Sequence, residues 1–103
     1  MQVSEADDGR EISIAVGETL ELALPEASGT GFRWTLTSVD KSILALEKEH
    51  FADTAVTAPG SGRMRRWLFK AIAPGTATLA LVYARPWEKK APVRSFNMKL
   101  RTF

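Results

Sequence analysis

Hydrophobic residues recur at every second position through most of this chain. Ile12, Ile14 and Val16 share one face of the segment 11–16, and Leu20, Leu22 and Leu24 share one face of 19–24. The same alternation links Phe32, Trp34 and Leu36, then Trp67, Phe69 and Ala71, then Ala77, Leu79, Leu81 and Tyr83, and finally Phe96, Met98 and Leu100. A period of two marks a β-strand with one buried face. The pattern therefore predicts strands over 11–16, 19–24, 32–38, 65–73, 76–84 and 93–103. Residues 43–49 are read as a further strand with Leu44, Leu46 and Lys48 on a common face, although their composition also admits a short helix. Residues 1–10 are expected to be frayed, or at most a short edge strand.

Punctuation between these segments is uneven. Gly17-Glu18, Asp40-Lys41-Ser42 and Pro74-Gly75 mark tight turns. Pro25 is expected to close its strand, because proline cannot donate to a ladder. Residues 50–63 show no period and end in Ala58-Pro59-Gly60-Ser61-Gly62. A long irregular connection in a compact domain is uncommon and often functional.

About seven or eight short antiparallel strands in 103 residues, with no long helical pattern, read as an all-β, immunoglobulin-like sandwich forming one domain over 1–103. With no cysteine, the core has no disulfide, so Trp34 and Trp67 are expected to fill it. If each connection reverses the chain, the loops alternate between the two ends of the sandwich. The tight turns then gather at one end. The longer connections 25–31, 50–63 and 85–91 gather at the other, which makes a binding face.

Composition narrows the chemistry. Hydrophobic residues make up 45% and charged residues 25%, which places the chain among ordinary globular domains and away from disordered ones. The formal net charge of +2 does not by itself argue for nucleic acid. No apolar run approaches the roughly 20 residues of a membrane helix, and residues 1–10 do not read as a signal peptide. A periplasmic or secreted location would require that such a signal had been removed. The absence of cysteine removes thiolate metal sites and cysteine nucleophiles, and no His/Asp/Glu spacing resembles a metal site. His50 stands alone, and Gly60-Ser61-Gly62 lacks the lysine of a phosphate loop. The expectation is a non-enzyme without catalytic residues, metal or other cofactor.

Two stretches invite a binding function. Ser28-Gly29-Thr30-Gly31 is a bare, bendable loop anchored at once by the aromatic strand that follows. Trp87 stands in the polar loop Arg85-Pro86-Trp87-Glu88-Lys89-Lys90, where no strand claims it, and exposed aromatics beside arginine are typical interface anchors. The alternative is that Trp87 folds back over the end of the sandwich.

Taken in order, Thr30-Gly31-Phe32 with Trp34, Gly60-x-Gly62 before Trp67 and Phe69, Pro74-Gly75-Thr76-Ala77, and Arg85-Pro86-Trp87 resemble the chagasin-type inhibitors of papain-like cysteine peptidases. The resemblance runs from about residue 11 to the C-terminus. It implies a reversible, occluding inhibitor whose three loops straddle the peptidase cleft. The implied contacts are Ser28, Gly29, Thr30, Gly31 and Phe32 in the first loop, Gly60, Ser61, Gly62 and Arg63 in the second, and Arg85, Pro86 and Trp87 in the third. Phe32, with Trp34, is expected mainly to support the first loop. The family's first loop reads Asn-Pro-Thr-Thr-Gly-Phe, and here only the last three residues agree. Its Gly-x-Gly-Gly second loop ends here in Arg63. A first loop without proline and with an added glycine has more entropy to lose on binding.

The implied partner is a papain-like cysteine peptidase, with no nucleic acid and no membrane, and a monomer is the expectation. Two other readings stay open at this stage. One is a non-inhibitory adhesion or binding module on the same sandwich. The other is a single-stranded nucleic-acid binder using Arg63, Arg65, Arg66, Arg85 and Trp87.

Overall fold

A computed structural model describes residues 1–26, 31–53, 63–85 and 87–103, leaving aside the side chains of 50–53 and 63. Eight strands follow in order: β1 (Gln2–Val3), β2 (Glu11–Ile14), β3 (Thr19–Glu26), β4 (Arg33–Ser38), β5 (Leu44–Asp53), β6 (Arg63–Ala71), β7 (Gly75–Ala84) and β8 (Arg94–Thr102). A short 3-10 turn at Glu5–Asp7 separates the first two. They form two four-stranded sheets, ordered β1-β3-β6-β5 and β2-β8-β7-β4.

The alternating residues meet between the sheets. Leu20, Leu22 and Leu24 from β3, Trp67 and Phe69 from β6, Leu79 and Leu81 from β7, and Phe96, Met98 and Leu100 from β8 are all buried. Trp34 and Trp67 are each 1% exposed and supply bulk that a cysteine pair would otherwise brace. Fully burying side chains of this size is worth about 1.5–3 kcal/mol each, which is why the hydrophobic pattern dictates the sheets.

The sandwich expectation holds, and the structure refines it in four places. The first ten residues are anchored: Val3 is buried, β1 pairs with β3, and Gly9 N–H donates to Asn97 O at 2.6 Å. The pairs β1–β3 and β2–β8 run parallel, because the N-terminal segment lies along an edge of each sheet and enters neither by a hairpin. Pro25 does not close β3 but stands opposite Met64 within it. β1 reaches only Glu21 and Leu22, so this end of β3 has a free edge, where proline is tolerated.

The fourth refinement concerns 43–63. β5 extends to Asp53 and β6 begins at Arg63, so residues 50–53 and 63 of the long loop expected over 50–63 are strand, and 54–62 lie outside the described residues. His50 pairs with Arg66 in the ladder. A bulge between Leu46 and Lys48 shifts the phase of β5 by one residue. Lys48 therefore faces outward opposite Leu68, and Glu49 takes the inward place opposite Trp67. The expected common face of Leu44, Leu46 and Lys48 is broken there. Leu44 is buried, whereas Leu46 is 42% exposed in an open groove between the edge strands β4 and β5.

Both ends of the sandwich are built as expected. Three tight connections meet at one pole, where Gly17 N–H donates to Ala71 O and Ile72 N–H donates to Ile43 O, both at 2.8 Å. At the opposite pole, Glu26 of β3 and Asp53 of β5 both stand opposite Arg63 of β6, and Arg33 of β4 stands opposite Ala84 of β7. The three longer connections all leave from this second pole.

Candidate functional site

At the loop-bearing pole the first and third loops touch. Gly31 has φ +81°, a left-handed conformation natural to glycine. A Cβ built on it would lie 2.2 Å from Cη2 and 2.8 Å from Cζ2 of Trp87. The indole thus rests against the bare backbone of Gly31. It nonetheless stays 68% exposed, so it neither joins the core nor stands free of the protein.

Phe32 links this contact to the core. Its ring stacks on Tyr83 with centroids 5.5 Å apart, and Tyr83 in turn packs on Trp34 at 4.9 Å. The Arg85 guanidinium lies 4.4 Å from the Phe32 centroid, within range of a cation–π attraction. Arg85 Nη1 also donates to Glu88 Oε1 at 2.9 Å, and Lys90 Nζ lies 3.3 Å from Glu88 Oε2. The hydrogen bond from Arg85 holds the Glu88 carboxyl below the usual carboxylate range; desolvation opposes this and Lys90 adds to it. Val93 N–H donates to Tyr83 O at 3.0 Å and brings the chain back toward the sheet. Arg85, expected as a peptidase contact, is thus engaged within its own protein, bracing Phe32 and the third loop.

Below this surface lies a polar cluster that the hydrophobic pattern conceals. Glu26 is 4% exposed, and its Oε2 accepts the Trp34 backbone N–H at 2.9 Å. Arg65 Nη1 donates to Trp34 O at 2.9 Å and lies 3.4 Å from Glu26 Oε2. Arg65 Nη2 also pairs with Glu49. The Trp34 indole N–H donates to Pro25 O at 2.8 Å. Each of β3, β4, β5 and β6 contributes to the cluster.

Sequence reading missed Glu26 and Glu49 and took Arg65 only as a candidate nucleic-acid contact. Arg65 shares its face with Trp67 and Phe69, two and four residues along, and turns inward with them. A charge at an inward phase was the available signal for both Glu26 and Arg65. The same pairing weakens the nucleic-acid reading: Arg65 holds Glu26 and Glu49, Arg66 holds Glu21, and Arg85 holds Glu88. These carboxylates cancel the basic track that a phosphate backbone needs.

Of the expected contacts, Gly31, Phe32, Arg85 and Trp87 are brought together. Arg63 begins β6 beside the stem of the first loop, opposite Glu26. Ser28, Gly29, Thr30, Gly60, Ser61, Gly62 and Pro86 lie outside the described residues. Among the described residues, no group of three or more His, Cys, Asp or Glu could hold a metal ion, and no helix is long and apolar enough to cross a membrane.

Comparison with known proteins gives one consistent answer. Residues 13–100 match the family model described as chagasin family peptidase inhibitor I42. Chagasin of Trypanosoma cruzi is 32% identical over 91 residues, covering 84% of this chain and 82% of the relative. The crystal structure of the cysteine protease inhibitor EhICP2 of Entamoeba histolytica superposes with a TM-score of 0.91 at 24% identity, over 99% of this chain and 94% of that one. The structure of PbICP-C in complex with falcipain-2 superposes at 0.74 with 17% identity, over 100% and 90% of the two chains. The last two likenesses concern the fold.

Proposed function

The chain belongs to the chagasin family of peptidase inhibitors, whose targets are papain-like cysteine peptidases, and we propose that it blocks such a peptidase with the pole where Gly31 and Trp87 meet. It is an inhibitor and not an enzyme. The observation that carries the choice of surface is the contact between the first and third loops. Gly31 and Trp87 meet there, with the aromatic ring 68% exposed.

The mechanism is occlusion of the cleft. Thr30 stands between two glycines, so a small hydroxyl and bare backbone enter the cleft near the catalytic thiolate. No peptide bond is offered there in attack geometry. Trp87 lies on an apolar patch beside the cleft and loses its remaining exposed surface to the partner. The second loop, Gly60 to Arg63, reaches the other wall. Inhibition is reversible, with no covalent step; that PbICP-C, a protein of the same fold, has been solved in complex with falcipain-2 supports a peptidase as the partner.

A titration of papain with the purified protein, using a fluorogenic substrate, tests this. Activity is expected to fall with increasing protein and to return on dilution, with the inhibitor uncleaved. Alkylation of the catalytic cysteine by iodoacetamide is expected to slow in the complex. No inhibition at micromolar protein overturns the function. Inhibition that leaves alkylation unprotected overturns the occluding geometry.

A further inference from the structure

We propose that Glu26 and Arg65 are positioning residues for inhibition: together they stand in for a missing β-strand along the edge of β4 and so hold the stem of the first loop. The inference rests on the peptidase-inhibitor reading and deepens it.

The geometry is that of a ladder made by side chains. β4 is an edge strand of its sheet and, among the described residues, pairs only with β7. An edge strand carries a row of backbone donors and acceptors with no neighbour. At Trp34 both are occupied: the N–H by the Glu26 carboxylate at 2.9 Å, the C=O by the Arg65 guanidinium at 2.9 Å. Both partners come from the opposite sheet, Glu26 from the end of β3 and Arg65 from β6. The two sheets are thereby tied together across the base of the loop that runs from Glu26 to Arg33.

Charge and burial show what the pair is for. The Glu26 and Arg65 side chains are 5% and 16% exposed. Buried ion pairs forfeit hydration and are weak stabilisers compared with apolar packing of the same volume. Their established use is to specify one arrangement over others. Here the loop they close contains Gly29 and Gly31, two residues that favour many backbone conformations. A loop of that kind reaches its partner at lower entropic cost when its two ends are held in one geometry.

The bulge in β5 belongs to the same device. Without it, Lys48 would occupy the inward place opposite Trp67, next to Arg65. The extra residue delivers Glu49 there instead, and Arg65 pairs with it. Since β5 and β6 are the stems of the second loop, Arg65 couples the bases of the first and second loops.

The test compares the parent with Glu26→Ala and Glu26→Gln in one papain titration, alongside amide exchange at Trp34. Glu26→Ala is expected to raise the inhibition constant about tenfold or more and to speed Trp34 exchange. Glu26→Gln keeps an oxygen that accepts from the Trp34 N–H and is expected to stay within about threefold of the parent. A purely structural loss is separated by a double-mutant cycle with Thr30→Gly. If Glu26 acts through the first loop, Glu26→Ala costs little once the Thr30 contact is gone. Parental inhibition by Glu26→Ala, or full additivity with Thr30→Gly, overturns the proposal. Should Glu26→Ala not fold, Arg65→Lys takes its place under the same criteria, since an ammonium cannot reach Trp34 O and both carboxylates together. If the parent itself does not inhibit papain, the function proposed above fails. Trp34 exchange then still decides whether the pair holds the stem.

Discussion

The six-membered ring of Trp87 lies on Gly31 so closely that a methyl group on Gly31 would stand 2.2 Å from Cη2. Two loops far apart in the chain are thereby joined into one tip. Gly31 does two jobs at once: it adopts φ +81°, and it leaves room for the indole.

Gly31→Ala is accordingly expected to strain the backbone by about 1–2 kcal/mol and to push Trp87 off its seat. Inhibition is expected to weaken by about tenfold or more, beyond what the lost stability explains. Inhibition constants and the thermal midpoint, measured on the same preparation, separate the two effects.

Trp87→Ala carries the opposite signature. The ring is largely exposed, so its removal is expected to leave the urea midpoint nearly unchanged. Binding is expected to weaken by about 2 kcal/mol or more, roughly thirtyfold, as aromatic anchors at interfaces do. An unchanged inhibition constant removes Trp87 from the contact surface.

Glu88 sets the acid limit of the third loop. Its carboxyl is held low by Arg85, so the folded value lies below the unfolded one. A group of that kind contributes its stability above the unfolded value and loses it as pH falls through the folded value. The Arg85–Glu88 pair, and the stacking of Arg85 on Phe32 that it supports, is expected to persist from neutral pH down through the usual carboxylate range. It is lost only in stronger acid. An NMR titration of the Glu88 and Arg85 side chains checks this, and Glu88→Gln is expected to remove the acid step. Because the pair is solvated, the change in global stability is expected to be small.

The bulge in β5 admits a direct test. Glu49→Lys puts a cation opposite Trp67 and beside Arg65. A loss of about 1–2 kcal/mol is expected, because a cation replaces the carboxylate facing a part-buried guanidinium. Replacing Glu47 by Ala keeps the bulge and is expected to stay near the parent. Urea unfolding of both variants measures the difference.

The alternation of side chains determined by itself that the chain forms strands, which residues face inward in β3, β6, β7 and β8, and where the tight turns fall; Val16 and Leu46, read on inward faces, are exposed. A strand displays its faces with a period of two whatever lies beside it, so Leu20, Leu22 and Leu24 were legible as inward positions, whereas Glu26 and Arg65 share that phase but their charge concealed it. The motifs at Thr30-Gly31-Phe32 and Arg85-Pro86-Trp87 carried the family in the same way. What the tertiary structure alone decided is which distant groups meet. The phase shift in β5, the parallel edge strands, the seat of Trp87 on Gly31 and the capture of Trp34 by Glu26 and Arg65 all depend on how two sheets stack. Stacking is settled by packing and charge pairing between residues remote in the chain, and no local period records it.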